Sequence, residues 1–383
     1  MEMIDPIFNM HKIKFEILDK WGLVDKTTKQ VNVYINLDNV FKLIINPRIN
    51  NFIQASSSVH GYDEYMNRVS KSLVSNIINL GQHYRLWLAK KSIESRIVLY
   101  WNYPMDKLMI FNNAKYIPTY RATYVDKFNV NMENAHIVTA LKNAVDFCKD
   151  CIHYINEVYL VNGHNVESSL IPYILDKEIY SKQGNPVKNI LVSNSLYDFS
   201  YVNYGYTIVA PSLRKKYPYI VNSNNVIDMI KQKYKVSSVL SVNSNFIEFI
   251  ISLLGDTDRG IPSISGVGIV TILKMLNTAI TNGLITETTN EMSMLSSIIK
   301  SDYRETFCRN YQCVNLEYQM KDVEPLDIHK ITSQLVDNYD ETTLNEMNEK
   351  YFKLCPIEII RPKSEQVLYD YNPYGNSIFA RKQ

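Results

Sequence analysis

The stretch from Leu253 to Leu276, LLGDTDRGIPSISGVGIVTILKML, holds the residues whose types and spacing best suit a chemical task. Gly260-Ile261-Pro262 forms one turn, and Gly266-Val267-Gly268 forms a second that opens a helix. Glycines and small residues at a helix start let the backbone come close to a phosphate, and the N–H groups there favour an anion. The segment reads as a helix–turn–helix in which the loop, rather than a basic side chain, grips a nucleic-acid backbone. The same pattern also describes any helical hairpin, because glycine-rich turns are common.

Other chemistries find less support. Cys148 and Cys151 form a C-x-x-C with His153 nearby, a spacing compatible with zinc or redox work. They fall in a long helical pattern where i and i+3 share a face, and no second pair at finger-like spacing follows. The remaining cysteines, Cys308, Cys313 and Cys355, are irregularly spaced. The histidines (11, 60, 83, 136, 153, 164 and 329) give no ligand spacing, and His164 reads as a loop residue. There is no nucleophile turn of the G-x-S-x-G type and no phosphate loop ending in G-K-[ST]. The most basic cluster, LRKKYPY from Leu213 to Tyr219, interleaves charge with aromatics. It suits either a track for a nucleic-acid strand or a solvated loop.

The elements that must position these residues follow from periodicity. Alternating or apolar runs predict strands at Gln30–Asn36, Arg96–Trp101, Tyr159–Val161, Asn189–Asn194 and Tyr206–Pro211. Helical spacing covers Gly61–Lys91, Met132–Val158 and Glu167–Leu175, and a short helix is expected in the first thirty residues. Strands alternating with helices predict an α/β domain with a mostly parallel sheet over residues 1–220. From 221 to 355 the pattern becomes helical, at Val226–Lys235, Asn245–Leu254, Gly268–Leu276 and Ile328–Tyr339, with the helix–turn–helix at 253–276. Residues 356–383, with Pro362 and Pro373, read as an extended tail.

The 383 residues suffice for one large domain or two intimate ones. A formal net charge of +2 does not announce a nucleic-acid binder, so DNA contact has to come from local clusters. Tyrosine is heavily used, at 28 residues, a usage that suits interfaces. No secretory signal appears, nor an apolar run of roughly 18 residues, and the chain is expected to be soluble and intracellular.

In detail, Leu253–Leu276 resembles the helix-three-turn-helix of flap endonucleases and of the 5′→3′ exonuclease domain of bacterial DNA polymerase I, a PIN-like 5′-nuclease fold. That family reads G-D-x-x-D-N-I-P-G-V-x-G-I-G and then a helix. Gly255, Asp256, Ile261, Pro262, Gly266, Val267 and Gly268 match it, and the preceding FIEFIISLL fits. In the family this element holds duplex DNA through backbone amides and a monovalent cation. The resemblance therefore implies DNA contacts at Ser263, Ser265, Gly266, Val267, Gly268 and Thr271. Arg121, in the arch-like YIPTYR, and Lys215, in the basic cluster, are added as DNA-contact candidates. The upstream strands fall in the family's order, so the likeness runs from Val31 to Leu276, specific at its C-terminal motif and topological elsewhere.

The same resemblance exposes what has changed. Nuclease chemistry of this class uses two divalent metals clamped by clustered carboxylates. Set on this chain, the family's acidic positions fall on Asn36, Trp101, Asn165, Glu167, Ser168, Ser195, Tyr197, Asp256 and Arg259. Only Glu167 and Asp256 remain acidic; no catalytic residue, metal ligand or cofactor is assigned, and Arg259 is expected to neutralise one of the two. Asp38, Asp198 and Asp258 lie a residue or two from the expected sites, where a side chain turns to another face.

The leading expectation is a catalytically inactive 5′-nuclease-like protein, a DNA-binding or architectural subunit of a viral, bacteriophage-type replication or transcription assembly, in the infected cell or virion. Its partners are double-stranded or flapped DNA and other proteins of that assembly, and no membrane. One alternative is an active Mg²⁺-dependent nuclease with relocated ligands Asp38, Glu167, Asp198 and Asp256. Another is a virion or scaffold protein without DNA contact.

Overall fold

A computed structural model describes residues 14–37, 77–101, 116–117, 152, 154–155, 157–163, 165–180, 187–210, 218–257, 259–336 and 340–350, with two short strands near the C-terminus. Its centre is a six-stranded sheet: β1 (Gln30–Asn36), β2 (Glu94–Trp101), β3 (Val158–Asn162), β4 (Lys188–Val192), β5 (Thr207–Ala210) and β6 (Tyr219–Val221). The spatial order is β3-β2-β1-β4-β5-β6, with the first five strands parallel and β6 antiparallel to β5. The sheet therefore grows from β1 in both directions, and the crevice between the C-terminal ends of β1 and β4 is the topological switch point where α/β proteins place ligands.

Both faces of the sheet are covered, so β1 is buried at all seven positions. Period-two alternation divides the strands between two cores. Val33, Ile35, Leu99, Trp101 and Val192 face one, against helix α2 (77–89), which brings Ile77, Leu80, Tyr84 and Trp87. Tyr34, Val98, Tyr100, Leu191 and Ile208 face the other, and that core continues without a break into the helices after residue 221. These are α4 (Val226–Lys233), α5 (Ile247–Leu254), α6 (Ile269–Thr281), α7 (Met292–Ser297), α8 (Ser301–Val314), α9 (Leu316–Lys321) and α10 (Pro325–Thr332). Among the described residues the other helices are the earlier α1 (Phe15–Lys20) and α3 (Ile171–Leu175) and the later α11 (Glu341–Lys350).

Many of the tyrosines are spent inside the fold rather than on an interface. Tyr34, Tyr201 and Tyr206 stack beneath the sheet, with Tyr201 and Tyr206 ring centroids 4.8 Å apart. The hydroxyl of Tyr201 donates to the Ser169 carbonyl and that of Tyr206 to the Pro172 carbonyl, so two of the three rings keep their polar ends satisfied, while the Tyr34 hydroxyl is buried without a hydrogen bond.

Several expectations shift. The helix expected at Ile328–Tyr339 instead occupies Pro325–Thr332, with the proline at its start, where the missing N–H costs nothing. α7, α8 and α9 were not anticipated, and β6 is a strand the sequence did not suggest. In the stretch read as an extended tail, Leu368–Asp370 pairs antiparallel with Phe379–Arg381. Among the described residues no helix is long and apolar enough to cross a membrane.

Candidate functional site: a buried guanidinium among three carboxylates

The crevice is built by chain segments leaving the strand ends. After β3 the chain turns into a 3-10 turn at Ser168–Leu170, with Glu167 at its N-cap position. After β4 the ladder stops at Val192, and Ser193–Leu196 leads irregularly into a 3-10 helix, Tyr197–Tyr204, whose first turn carries Asp198. After α5 comes a tight hairpin: Asp256 N–H donates to the Ile261 carbonyl at 3.0 Å, and Ile261 N–H returns to Asp256 at 2.9 Å. Gly255 allows this reversal with φ +71°, a region L residues avoid.

The hairpin carries the Arg259 side chain into the crevice, where it is 4% exposed. Its Nη1 lies 3.1 Å from Asp256 Oδ2 and donates to Ser195 Oγ at 2.9 Å. Its Nη2 is 3.6 Å from Asp198 Oδ1, and its Nε is 3.8 Å from Glu167 Oε1. The guanidinium plane covers the Tyr197 ring at 3.8 Å from the centroid, a cation–π contact. The Tyr197 hydroxyl is held in turn by the Gln319 amide of α9.

Asp198 is fully buried. Its Oδ2 accepts from Ser193 Oγ and, at 3.2 Å, from Asn36 Nδ2, the polar residues that end β4 and β1 on this face. Burial pushes the Asp198 carboxyl above its ordinary value and the Glu167 charge adds to that, while Arg259, Ser193 and Asn36 oppose it.

The arrangement departs from expectation in three ways. Asp198, set aside as turned to the wrong face, lies in the crevice. The period-two argument fails there because the strand has already ended. Trp101, taken as one of the former acidic positions, packs in the α2 core on the opposite side of the sheet. Tyr100 lies on the other face of β2, in the core that contains Tyr197. Arg259 meets three carboxylates rather than neutralising one.

The chain is similar in outline to solved 5′-nucleases. It resembles a T5 5′-exonuclease with bound zinc at 13% identity and a TM-score of 0.48, covering 80% of this chain and 97% of that one. A bacteriophage T5 flap endonuclease in a pseudo-enzyme–product complex with DNA and metal ions gives the same identity and TM-score over 79% and 97%. The catalytic core of Rad2 with a DNA substrate gives 9% identity and a TM-score of 0.34 over 84% and 93%. No family profile and no curated protein matches the chain.

The donors do not suit a pair of divalent cations. Glu167, Asp198 and Asp256 each direct an oxygen at Arg259, Asp198 also accepts two neutral donors, and Asn36, Ser195 and Tyr197 offer no charge.

The proposed DNA-contact residues follow the hairpin, in the turn before α6 and in its first helical turn. Ser263, Ser265, Gly266, Gly268 and Thr271 are exposed and Val267 is half-buried. Gly266 takes φ +74°, and Gly268 precedes α6 without a side-chain cap. The first i→i−4 bond of α6 is Ile272 N–H to Gly268 at 3.1 Å, so the N–H groups of Ile269 to Thr271 lie ahead of the helical ladder. Arg121 and Lys215 lie outside the described residues, as do Asp38, Asp258, Cys148, Cys151, His153 and His164.

The C-terminal helices supply polar side chains that no motif announced. Asn310 of α8, fully buried, donates to the Ser252 carbonyl at 2.8 Å and the Pro262 carbonyl at 2.7 Å, tying α5 to the base of the exposed turn. Gln334 exchanges two hydrogen bonds with the backbone of Asn162 at the end of β3, and Asp322 accepts from Tyr116 at 2.7 Å. Asn310→Ala leaves the buried Ser252 carbonyl and the part-buried Pro262 carbonyl without their donor and is expected to cost about 1–3 kcal/mol. A lower urea midpoint at unchanged m-value is the expected observation, and an unchanged midpoint removes Asn310 from this role.

Proposed function

We propose that this protein binds duplex or flapped DNA without cutting it, as a subunit of a viral replication or transcription assembly. The observation that carries the non-cleaving half is the Arg259 guanidinium among Glu167, Asp198 and Asp256, which engages the carboxylates that metal-assisted phosphodiester hydrolysis needs. The binding half is supported by the exposed turn at Ser263–Gly268 and the uncapped start of α6, a place where backbone N–H groups receive a phosphate. The resemblance of this turn to the helix-three-turn-helix points the same way.

A second reading is an active metal-dependent nuclease using Asp38, Glu167, Asp198 and Asp256. It is favoured by the convergence of three of those carboxylates on one point, with Asp198 brought in from outside the expected set.

A 5′-flap duplex incubated with Mg²⁺ or Mn²⁺, or with EDTA, across a salt series separates the readings. Under the first, the substrate stays intact, EDTA changes nothing, and binding weakens steeply with salt as phosphate contacts release counterions. Metal-dependent cutting refutes it in favour of the second. No binding at any salt refutes both and leaves a virion or scaffold role without DNA.

A further inference from the structure

We propose that the stretch from Val236 to Val242 is an edge strand that pairs antiparallel with the same stretch of a second copy of this chain, making a two-fold dimer. The proposal does not depend on whether the protein binds or cuts DNA.

Conformation is the first observation. Between α4 and the 3-10 turn at Ser244–Phe246 the chain runs through residues 236–243 without a turn or a bend. Val236, Ser238, Leu240 and Val242 are half-buried along it, and Ser237, Val239, Ser241 and Asn243 are exposed. That period of two is the mark of a strand. Val236, Leu240 and Val242 pack against the core that the sheet shares with the C-terminal helices, while Val239 stands fully exposed.

Among the described residues this strand has no neighbouring strand. The Ser241 carbonyl accepts from Asn277 Nδ2 of α6 at 3.2 Å, and Leu240 N–H is met by Ser238 Oγ within the stretch itself. Backbone groups of successive residues point to opposite sides of a strand, so the bond to Asn277 sets those of the odd-numbered residues toward α6. Those of Ser238, Leu240 and Val242 are left along a free edge. Native edges are blunted by charge or proline, and from Val236 to Ile247 this one has neither.

The sequence selects the occupant. Read outward from Val239, the stretch V-S-S-V-L-S-V is close to a palindrome. An antiparallel pairing centred there sets Val236 opposite Val242, Ser237 opposite Ser241, Ser238 opposite Leu240, and Val239 opposite its own copy. Exposed side chains then meet exposed ones and half-buried meet half-buried, so each copy keeps its inner face on its own core. Ser238 and Leu240 exchange the ladder bonds, and Val239 falls at a non-hydrogen-bonded position, where the Cα atoms are about 4.5 Å apart. One place further out Lys235 stands opposite Asn243, so no like charges face each other across the pair. The same patch serves both copies, as a two-fold interface requires.

The test is sedimentation velocity of the native protein and of Val239→Lys, with crosslinking of Val239→Cys and Asn243→Cys under mild oxidation. One strand pair buries less than the roughly 1,200 Å² of a standard interface, so the native dimer is expected to have a Kd on the order of 10–100 µM. Val239→Lys sets two ammonium groups face to face and is expected to weaken the dimer at least about tenfold. Because residue 239 is fully exposed, its melting temperature stays that of the native protein. Val239→Cys is expected to give a reducible band at twice the monomer mass, its sulfurs being within disulfide reach. Residue 243 lies about 26 Å from its own copy in this register, so Asn243→Cys should link no more than the native chain with its five cysteines. A native protein that stays monomeric up to about 300 µM, well above that Kd, overturns the proposal. So does a Val239→Lys protein that associates like the native one, or an Asn243→Cys protein that crosslinks as readily as Val239→Cys. None of these results bears on DNA binding or cleavage, so the two claims fail on different measurements.

Discussion

Gly255→Ala is expected to disorganise the hairpin that delivers Arg259 and to destabilise the protein by roughly 2–6 kcal/mol. The residue sits at φ +71°, ψ 176°, a combination essentially restricted to glycine, and a side chain forced there costs about 1–3 kcal/mol. The added methyl also meets backbone. An ideal Cβ lies 2.5 Å from the Ser263 nitrogen, 2.7 Å from the Ile261 oxygen and 2.7 Å from the Pro262 carbonyl carbon. None of these is the end of a flexible side chain, so overpacking adds about 1–3 kcal/mol more. Gly205→Ala is the control. That residue has φ +81° and ψ 11°, the left-handed region, with nothing within 4 Å of its Cβ position, so it bears a milder dihedral cost and no collision. Urea unfolding should place the position-255 variant well below the position-205 variant. Equal midpoints would mean that the close approach of residues 255 and 263 is not a feature of the folded protein.

The second large effect is a loss of stability between acid and neutral pH, traced to Glu248. This residue of α5 is buried. Its Oε1 accepts from the Tyr204 hydroxyl at 3.0 Å and its Oε2 from Asn315 Nδ2 at 2.7 Å. Burial pushes its pKa up to about 7, with the nearby Glu317 charge adding to the rise and the two side-chain donors opposing it. Because the folded value lies above the ordinary 4.5, folding takes up a proton. The contribution is fully present below about pH 4.5 and is lost as pH rises through about 7. Across that window the loss is on the order of 3 kcal/mol. Glu248→Gln keeps an acceptor and abolishes the titration, so its stability relative to the native protein should rise steadily from pH 5 to pH 8. Parallel pH profiles for the two proteins would show that Glu248 does not take up this proton. Asp176 and Asp198, also raised by burial, act in the same direction in both proteins and cancel in the comparison.

What the residues disclosed in advance depended on how strongly local chemistry constrains the chain. Gly255, Pro262, Gly266 and Gly268 fix turns almost regardless of context, and the exposed turn before α6 was readable from them. β1, β2 and β4 were equally plain because buried parallel strands carry dense β-branched runs. Asp198 was missed because alternation was carried past Val192, where the strand stops. Trp101 faces the opposite core, and in a strand one residue is the difference between the two faces of the sheet. α8 escaped notice for another reason. Its buried face, Phe307, Asn310, Tyr311 and Val314 with Tyr303 packed beside them, does carry helical spacing, but it is short, mostly aromatic and broken by the asparagine that bridges α5 and the turn. Side chains such as Asn310, Gln319 and Gln334 act across 48 to 172 residues of sequence, a distance at which spacing carries no signal.

The position of β1 at the middle of the sheet also sets an order of events during synthesis. Val31 and its neighbours pair with Ser95 and its neighbours on one side, and with Lys188 and its neighbours on the other. Lys188 follows Val31 by 157 residues, which a ribosome at about 5–20 residues per second covers in roughly 8–31 s. Until then the central strand presents one unpaired edge to its surroundings, the kind of edge that invites aggregation. The crevice is completed later still. Glu167 and Asp198 emerge first and wait some sixty to ninety residues, about 3–18 s at the same rate, for Arg259 to arrive. The nascent chain thus passes through a stage in which its catalytic-looking acids are already made and their internal counter-charge is not.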